Sequence, residues 1–482
     1  MNYKMVFYNV GRILLVEAVL LAIPALVAII YDENTLISFA ITIALLTIAG
    51  LPAIYKKPKN QKIYAKDGYV IVAFSWILMS LFGALPFVIS GHIPSFVDAF
   101  FETVSGFTTA GSTILREIES LPRSILFWRS FTHWIGGMGF LVFVIAILPK
   151  TESASMHIMR AEVPGPSVDK LVSKLRASAR ILYGIYCALT VMEALMLAFG
   201  GMPVFDCIVN SLATAGTGGF AILNNSIEGY NSVYSEMVIA VFMLLFGINF
   251  NLYYMIIIKQ WKQALKSEEL RWYLGIIAGS VLIIAISLVG TRYSVADAFR
   301  YAFFQVTSII STTGFSTANF DTWPVIAKII LFFLTITGAC AGSTCGGFKM
   351  SRIVILIKSS FRDIKKAINP RSVETVKIDK KTIAEPVVKS VSVLFAMYAI
   401  IIAISTLLVA LDGRDVITTF TAVITCINNV GPGLGAVGPY GNYADFSVLS
   451  KLVLSFDMLA GRLELIPILM LFSPYIWSKK YN

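Results

Sequence analysis

Long apolar stretches recur along this chain of 482 residues, and each is long enough to cross the hydrocarbon core of a bilayer, which takes about 20 helical residues. Ten such stretches are found, at positions 12–31, 36–55, 68–91, 122–149, 180–201, 233–258, 272–290, 323–348, 387–411 and 448–477. Hydrophobic residues make up 57% of the chain and charged residues 14%, against about 45–50% and about 25% in soluble domains. We therefore predict an all-α integral membrane protein with ten transmembrane helices.

The distribution of Lys and Arg predicts which connections face the cytoplasm, because cytoplasmic loops retain these residues. Of the 39 Lys and Arg, 30 lie in alternate connections: the N-terminus, 56–67, 150–180, 259–271, 349–389 and the C-terminus. Both termini are therefore predicted to be cytoplasmic, in a multi-pass protein of the cytoplasmic (inner) membrane. The net charge of +11 then reflects orientation. Nucleic-acid binding would need basic patches interleaved with aromatic residues, which are not found, so no nucleic-acid partner is expected.

Four connections on the outer side share an unusual pattern. Each begins with a short helical segment that opens at an acidic residue and ends in a loop rich in Gly, Thr, Ser or Asn. The acidic residues are Asp98, Asp206, Asp297 and Asp415, and the key loop glycines are Gly111, Gly218, Gly314 and Gly431. The recurrence predicts four pseudo-repeats of helix, pore loop and helix around a central pore, preceded by two N-terminal helices. The predicted units are 1–67 for the N-terminal pair, then 68–150, 151–259, 260–370 and 371–482 for the repeats.

Irregular backbone at membrane depth is tolerated only where it is buried in protein or lines a water-filled cavity. Four such loops meeting at one axis would present carbonyl oxygens that can replace the hydration shell of an alkali cation. The short helices would also aim their partially negative C-terminal ends at that cation. Any one of these loops by itself is more simply an ordinary extracellular turn, so the prediction depends on the fourfold recurrence.

The loop sequences resemble the Trk/Ktr/HKT superfamily of potassium transporters, in particular its TrkH/TrkG branch. The matching stretches are SGFTTAGST (105–113), TGGF (217–220), STTGF (311–315), NVGPGLG (429–435), GACAGSTCGGFK (338–349) and GRLE (461–464). The resemblance extends over essentially the whole chain. The two additional N-terminal spans favour the Trk branch over Ktr, whose subunits resemble the eight-span core alone.

The resemblance implies a potassium-selective filter, with K⁺ as the bound and transported ion and no cofactor in this chain. Its implied ligands are carbonyls around Thr109, Ala110, Gly111, Gly216, Thr217, Gly218, Thr312, Thr313, Gly314, Asn429, Val430 and Gly431. Within this superfamily a serine at the first filter glycine is associated with sodium preference. Glycine at 111 therefore favours potassium.

A glycine-rich stretch without bulky residues interrupts the eighth apolar span at 337–347. Each glycine disfavours a helix by about 1 kcal/mol relative to alanine, so a straight helix is not expected there. The resemblance implies a gating loop beneath the filter, formed by Gly338, Gly342, Gly346 and Gly347 together with Arg462 of the tenth span. Close helix packing through small residues is the alternative for the glycines, and an ion pair with Asp457 is the alternative for Arg462.

The resemblance further implies a homodimer in which each protomer has its own pore, controlled by a separate cytosolic TrkA-like nucleotide-binding subunit. The basic segment 349–389 follows the predicted gate and is a candidate docking surface, although orientation and lipid contact would also explain its charge. The function expected is channel-like potassium uptake, with a sodium- or proton-coupled symporter as the alternative. A membrane enzyme is not expected, because the three histidines are scattered and no H-E-x-x-H or G-x-S-x-G motif occurs.

Overall fold

The protein is described by a computed structural model that covers residues 1–139, 175–291 and 293–477. The described chain is almost wholly helical, as predicted, with one short antiparallel hairpin that pairs Lys377–Ile378 with Lys381–Thr382. The α-helices are Tyr3–Leu20, Ala22–Ile30, Leu36–Ile54, Ala65–Gly83, Leu85–Ile89, Phe96–Thr108, Arg123–Gly137, Leu175–Phe199, Val204–Gly216, Val233–Phe246, Phe250–Ile257, Trp261–Ala264, Glu268–Leu288, Val295–Ile310, Val325–Thr337, Met350–Ile368, Glu385–Val409, Val416–Asn428, Val448–Arg462, Ile466–Leu471 and Pro474–Trp477.

Six helical segments of the described chain are long and apolar enough to cross a membrane. They are Tyr3–Ile30, Leu36–Ile54, Lys66–Ile89, Ala179–Phe199, Glu268–Leu288 and Glu385–Asp412, and each coincides with a predicted span. Their outward side chains are strongly exposed apolar groups, such as Phe199 and Leu407, which suits contact with lipid tails. A count of ten spans remains a prediction.

The other four predicted spans are not single straight helices among the described residues. The span 233–258 is broken into Val233–Phe246 and Phe250–Ile257, which meet at 90°. The helix predicted over 323–348 ends at Thr337, and the one predicted over 448–477 ends at Arg462 before two short helices. The helix within 122–149 ends at Gly137, and residues 140–149 lie outside the described residues, as do 150–174 and 478–482. A continuous helix was therefore the wrong expectation for 233–258 and 448–477, whereas the end at Thr337 agrees with the interruption predicted at 337–347.

Local features mark two of these interruptions. Asn249 starts a new helix by accepting a hydrogen bond from the Asn251 N–H at 2.9 Å, so the preceding helix must stop. Gly338 has a φ of +65°, a conformation that ends the helix before it. Each of these four helices follows a predicted pore loop. We call these helices exit helices 1 to 4: Arg123–Gly137, Val233–Phe246, Val325–Thr337 and Val448–Arg462.

A short buried helix precedes each predicted pore loop, and we number these half-helices 1 to 4. They are Phe96–Thr108, Val204–Gly216, Val295–Ile310 and Val416–Asn428. Ser95 and Ser294 cap half-helices 1 and 3, and Asp415 caps half-helix 4. Hydrogen bonds from Thr418 hold the pKa of the Asp415 carboxyl below its usual range. The predicted acidic starts are thus present, and negative charge there suits the positive end of a helix dipole.

Several hydroxyl groups on the buried faces of the half-helices donate to carbonyls of their own helices. Thr103 Oγ1 donates to the Ala99 carbonyl at 2.7 Å, and Thr214 Oγ1 donates to the Asn210 carbonyl at 2.9 Å. Such bonding lets a helix bury polar residues without unpaired donors. The half-helices can therefore stand deep inside the protein with their C-terminal ends pointing at one another's loops.

Candidate functional site

All four half-helices end in the same hydrogen-bonded turn. Each turn begins with a residue in the left-handed conformation, with φ of +60° at Thr109, +55° at Thr217, +57° at Thr312 and +55° at Asn429. The N–H of the next residue bonds to the carbonyl five residues earlier, over 2.9 Å from Ala110, 3.0 Å from Gly218, 2.9 Å from Thr313 and 3.0 Å from Val430. This is the Schellman arrangement that closes a helix.

The third residue of each turn is a glycine with positive φ: Gly111, Gly219, Gly314 and Gly431, at +73°, +75°, +85° and +90°. We define turns 1 to 4 as residues 109–111, 217–219, 312–314 and 429–431. Three of the four left-handed residues are threonines, although β-branched residues strongly disfavour this conformation. Such strain costs about 1–3 kcal/mol per residue and is characteristic of functional sites.

Turn 2 corrects the predicted register by one residue. The expected ligand set in the second loop was Gly216, Thr217 and Gly218, with Gly218 as the key glycine. Gly216 is instead the last residue of half-helix 2, and Gly219 has the conformation of Gly111. The sequence GTGG at 216–219 permits both registers. The left-handed conformation of Thr217, which ends the helix, decides between them.

The four turns touch one another in a closed ring that follows chain order. A Cβ added to Gly111 would lie 2.0 Å from the carbonyl oxygen of Gly218, and one on Gly219 would lie 1.9 Å from that of Thr313. A Cβ added to Gly314 would lie 2.2 Å from the Val430 carbonyl oxygen, and one added to Gly431 would lie 2.9 Å from the Ala110 carbonyl oxygen. Each glycine is therefore required twice, for its φ and for the close approach of the next turn.

A cavity lies on each side of this ring. The outer cavity, of about 170 Å³, is lined by all four of the positive-φ glycines. The inner cavity, of about 110 Å³, is lined by Gly346, Gly347 and Arg462 among others. Both volumes exceed the roughly 30 Å³ that one water molecule occupies in the liquid. The ring is thus a constriction between two spaces that can hold water.

The loop 338–349, which we call the glycine-rich loop, passes directly beneath turns 3 and 4. The Gly346 N–H donates to Thr312 Oγ1 at 2.8 Å, and a Cβ on Gly346 would lie 2.6 Å from the Asn428 carbonyl oxygen. Gly338, Gly342 and Gly347 have φ of +65°, +73° and +77°. The predicted interruption of the helix is confirmed, and none of these three positions fits an ordinary α-helix.

The bend between Phe246 and Phe250 supports the glycine-rich loop from one side. The Phe250 N–H donates to the Gly342 carbonyl at 3.0 Å, and the Cys340 N–H donates to the Gly247 carbonyl at 3.1 Å. Thr344 Oγ1 donates to the Phe246 carbonyl at 3.3 Å. Backbone groups that lose their helical partners at the bend after Phe246 are thus hydrogen-bonded to residues of the glycine-rich loop.

Glu269 binds the glycine-rich loop and the start of the helix that follows it. Its Oε1 accepts hydrogen bonds from the backbone N–H of Ala341 at 2.7 Å and of Ser351 at 3.1 Å. The buried Lys349 reaches the Cys345 carbonyl and has a strained φ of +82°. A carboxylate that accepts two buried backbone N–H groups is a strong local constraint.

Arg462 lies at the end of exit helix 4, between the ring and the glycine-rich loop. Its Nη1 donates to the Thr344 carbonyl at 2.9 Å and to Thr109 Oγ1 at 3.2 Å. Its Nη2 donates to the Gly137 carbonyl at 2.7 Å and also to the Gly136 carbonyl. Asp457, the alternative partner, accepts a hydrogen bond from Ser405 Oγ at 2.7 Å. The guanidinium therefore joins turn 1, the glycine-rich loop and the end of exit helix 1.

Sequence reasoning missed the charged residues that support this site. Glu102 and Arg129 form an ion pair at 2.9 Å with almost no exposure, and Glu269 was not singled out at all. His133 stacks on Phe220 with ring centroids 4.2 Å apart. An arginine within the apolar sequence FWRSF (127–131) is the signal that could have identified the pair. Among residues 1–139, 175–291 and 293–477, no cluster of three or more metal-ligating side chains occurs.

Comparison with known proteins places this architecture in a family. The TrkH family, described as cation transport protein, matches residues 33–482. The chain is 34% identical to the Trk system potassium uptake protein TrkH of Salmonella typhimurium, over 99% of this chain and all of that protein. It is 33% identical to the Trk system potassium uptake protein TrkG of Escherichia coli, over 94% of each chain.

A solved structure extends the similarity to three dimensions. The crystal structure of the potassium transporter TrkH from Vibrio parahaemolyticus matches with a TM-score of 0.89 and 32% sequence identity. The match covers 99% of this chain and 100% of that one. The protein therefore belongs to the TrkH family of cation transport proteins.

Proposed function

We propose that this protein takes up potassium across the cytoplasmic membrane through a channel-like pore whose selectivity filter is the ring of turns 1 to 4. The observation that carries the proposal is the closed ring itself, between an outer and an inner cavity. Relatives over nearly the whole chain are potassium uptake proteins by name, which supports potassium as the ion.

The chemistry follows from the turns. A cation entering the ring exchanges water for carbonyl oxygens, which include those of Ala110, Gly218, Thr313 and Val430. Four helix C-termini add partial negative charge at the same place without any ionised ligand. Binding by carbonyl dipoles holds a monovalent ion weakly enough for it to leave, which conduction requires.

The glycine-rich loop and Arg462 form the gate in this proposal. The loop lies under turns 3 and 4, and the positive guanidinium lies under turn 1, so both oppose the exit of a cation toward the cytoplasm. To open the pore, the hydrogen bond from Arg462 to the Thr344 carbonyl must then break, and the glycine-rich loop must move away from the ring. We propose that the arrangement described here is the closed one.

The wider layout belongs to the same proposal: ten spans, both termini in the cytoplasm, and four repeats of helix, half-helix and exit helix around the pore. Four half-helices with one terminal geometry support the repeats. Six clear spans among the described residues, or seven with the bent pair, support the membrane-spanning organisation. The distribution of 30 of the 39 Lys and Arg supports the orientation.

Control by a separate cytosolic nucleotide-binding subunit, acting on a homodimer of this chain, completes the proposal. The helix Met350–Ile368 begins directly after the glycine-rich loop and carries the basic residues Lys358, Arg362, Lys365 and Lys366. A partner that pulled on this helix would act on the loop through the covalent chain. Purification with such a subunit, followed by nucleotide-dependent flux, tests this part.

The filter assignment is tested by Gly111→Ser in purified protein reconstituted into liposomes, with uptake of potassium and sodium measured separately. A side chain at 111 would collide with the Gly218 carbonyl, so the ratio of potassium to sodium uptake is expected to fall. The matched control is Gly91→Ser, which also has positive φ, at +77°, but has nothing within 4 Å of its added Cβ. An unchanged ratio in Gly111→Ser would remove the ring from the filter.

A further inference from the structure

A buried ion pair, which we call the brace, supports the ring on its outer side. Glu102 in half-helix 1 and Arg129 in exit helix 1 are each 1% exposed, and their charged groups are 2.9 Å apart. Charges in so dry a position are costly unless they are paired and hydrogen-bonded. The two residues satisfy each other, and the pair adds no net charge near the path of the cation.

The Glu102 carboxylate holds the chain that leaves turn 1. It accepts hydrogen bonds from Thr113 Oγ1 at 2.9 Å and from the Ile114 N–H at 2.9 Å. These residues follow Gly111 by two and three positions. The direction in which turn 1 continues toward the outer cavity is therefore set by this carboxylate.

The Arg129 guanidinium holds the chain that leaves turn 2. It donates to the Ala221 carbonyl at 3.3 Å and lies 4.1 Å from the centroid of the Phe220 ring. A cation over an aromatic face at this distance is attracted to it. One ion pair thus connects the outgoing segments of turns 1 and 2, which are neighbours in the ring.

The contact continues from Phe220 into turn 2 itself. Phe220 stacks on His133, and the imidazole of His133 fills the space beside Gly218, where a Cβ would lie 2.3 Å from the ring. The Gly218 carbonyl is the group against which Gly111 closes. Displacement of Arg129 would therefore shift turn 1 through Glu102 and turn 2 through Phe220 and His133, and so change the contact between the two turns.

The brace is present at only one of four equivalent places. Glu102 lies seven residues before the left-handed residue of its turn, and the corresponding residues of the other half-helices are Asn210, Gln305 and Ala422. All four positions are fully or almost fully buried. Only the first carries a carboxylate, so no ion pair forms from this position at the other three turns.

We propose that the Glu102–Arg129 pair determines how strictly the ring prefers potassium over sodium. The pair acts by position and not as an ion ligand: it fixes the separation of turns 1 and 2, and a ring free to contract would accept the smaller sodium ion. This inference rests on the proposed function, because it requires the ring to be the filter.

The test measures the ratio of potassium to sodium permeability from reversal potentials in planar bilayers that contain the purified full-length protein. Glu102→Gln and Arg129→Gln are each expected to lower the ratio by about tenfold, which is within the range by which changes at one site of a protein alter ion or ligand affinity at another. Each single variant leaves one buried charge unpaired, so a lower yield of folded protein is also expected.

The double variant Glu102→Gln with Arg129→Leu distinguishes an effect on the position of turns 1 and 2 from an effect on the yield of folded protein. It has no unpaired charge, so its yield should exceed that of the single variants, whereas its permeability ratio should stay low because the brace is gone. A ratio restored to the wild-type value in this variant would overturn the proposal, since the loss would then come from the unpaired charge alone.

A matched control exists at the other end of half-helix 1. Asp98 is paired with Lys451 at 2.6 Å, far from the turn. Lys451→Met should lower the yield and leave the permeability ratio unchanged. The proposal is wrong if this control changes the ratio as much as Glu102→Gln does, or if Glu102→Gln leaves it unchanged. A wild-type protein without potassium preference would instead refute the proposed function, and this inference with it.

Discussion

Arg462 and Thr109 meet beneath the ring, with the Nη1 of the arginine 3.2 Å from the Oγ1 of the threonine. Thr109 is the left-handed residue that closes half-helix 1, and the same guanidinium nitrogen holds the Thr344 carbonyl of the glycine-rich loop. The element that shapes the first turn is therefore tied directly to the element proposed as the gate. A change in one must alter the other.

Arg462→Ala should raise potassium flux in the absence of any partner. Its removal abolishes the hydrogen bond that holds the Thr344 carbonyl and also the positive charge under the ring, and a hydrogen bond made by a charged group contributes about 1.5–3 kcal/mol. Efflux of rubidium from proteoliposomes measures the change. Arg462→Lys keeps the charge but loses the planar fork, so an intermediate flux is expected. Wild-type flux in Arg462→Ala would exclude Arg462 from the gate.

Glu269→Ala should loosen the glycine-rich loop, because the N–H groups of Ala341 and Ser351 lose their common acceptor. Each unpaired buried donor costs about 1–3 kcal/mol. Hydrogen exchange of peptides that cover 338–351 should become faster, and basal flux should rise.

The neighbouring residue supplies the control for this experiment. Glu268 pairs with Lys358 of the helix Met350–Ile368 and accepts a hydrogen bond from the Asp379 N–H of the hairpin, so neither contact is with the glycine-rich loop. Glu268→Ala should leave exchange in 338–351 as in the wild type. Equal effects of the two substitutions would show that Glu269 acts only through the end of its helix.

Gly346→Ala should disturb the closed position of the loop, because the added methyl group would lie 2.6 Å from the Asn428 carbonyl oxygen. The expected result is higher basal flux, measured as rubidium efflux. Gly275→Ala is the control, since nothing lies within 4 Å of a Cβ there and alanine favours a helix by about 1 kcal/mol. Normal efflux from the Gly346 variant would mean that the loop does not seal the ring.

The channel-like proposal predicts a reversal potential that follows the potassium gradient alone. No other ion has to move with potassium through a ring of carbonyls that lies between two cavities. Currents in bilayers should therefore reverse at the potassium equilibrium potential at any imposed proton or sodium gradient. A reversal potential that shifts with either gradient would favour the coupled symporter.

The positions of the four turns were predictable from sequence because Gly and Thr stand out against apolar surroundings and recur. The register of turn 2 was not predictable, because the glycines at 216, 218 and 219 allow two alignments with the other turns. The end of half-helix 2 at Gly216 determines which alignment is adopted. Glycine content likewise predicted the break at Gly338. The bend after Phe246 depends on tertiary hydrogen bonds with the glycine-rich loop, which a local pattern does not contain.

Supporting residues were harder to predict than the turns. Glu102 and Arg129 are 27 positions apart, and each taken alone is only a polar residue in a short helix. Their importance comes from what they hold, namely Thr113, Ile114 and Ala221, and these contacts exist only after the half-helix and the exit helix have packed. Glu269 is similar, because its partners lie more than 70 positions away.

The central claim, that turns 1 to 4 form the ion-binding ring, is tested most directly by locating the ion. Crystals grown with rubidium or thallium in place of potassium allow the ion to be found by its anomalous scattering. We predict a peak within the ring, at coordination distance from the carbonyl oxygens of Ala110, Gly218, Thr313 and Val430. Anomalous density that lies elsewhere in the protein, with none in the ring, would contradict the account.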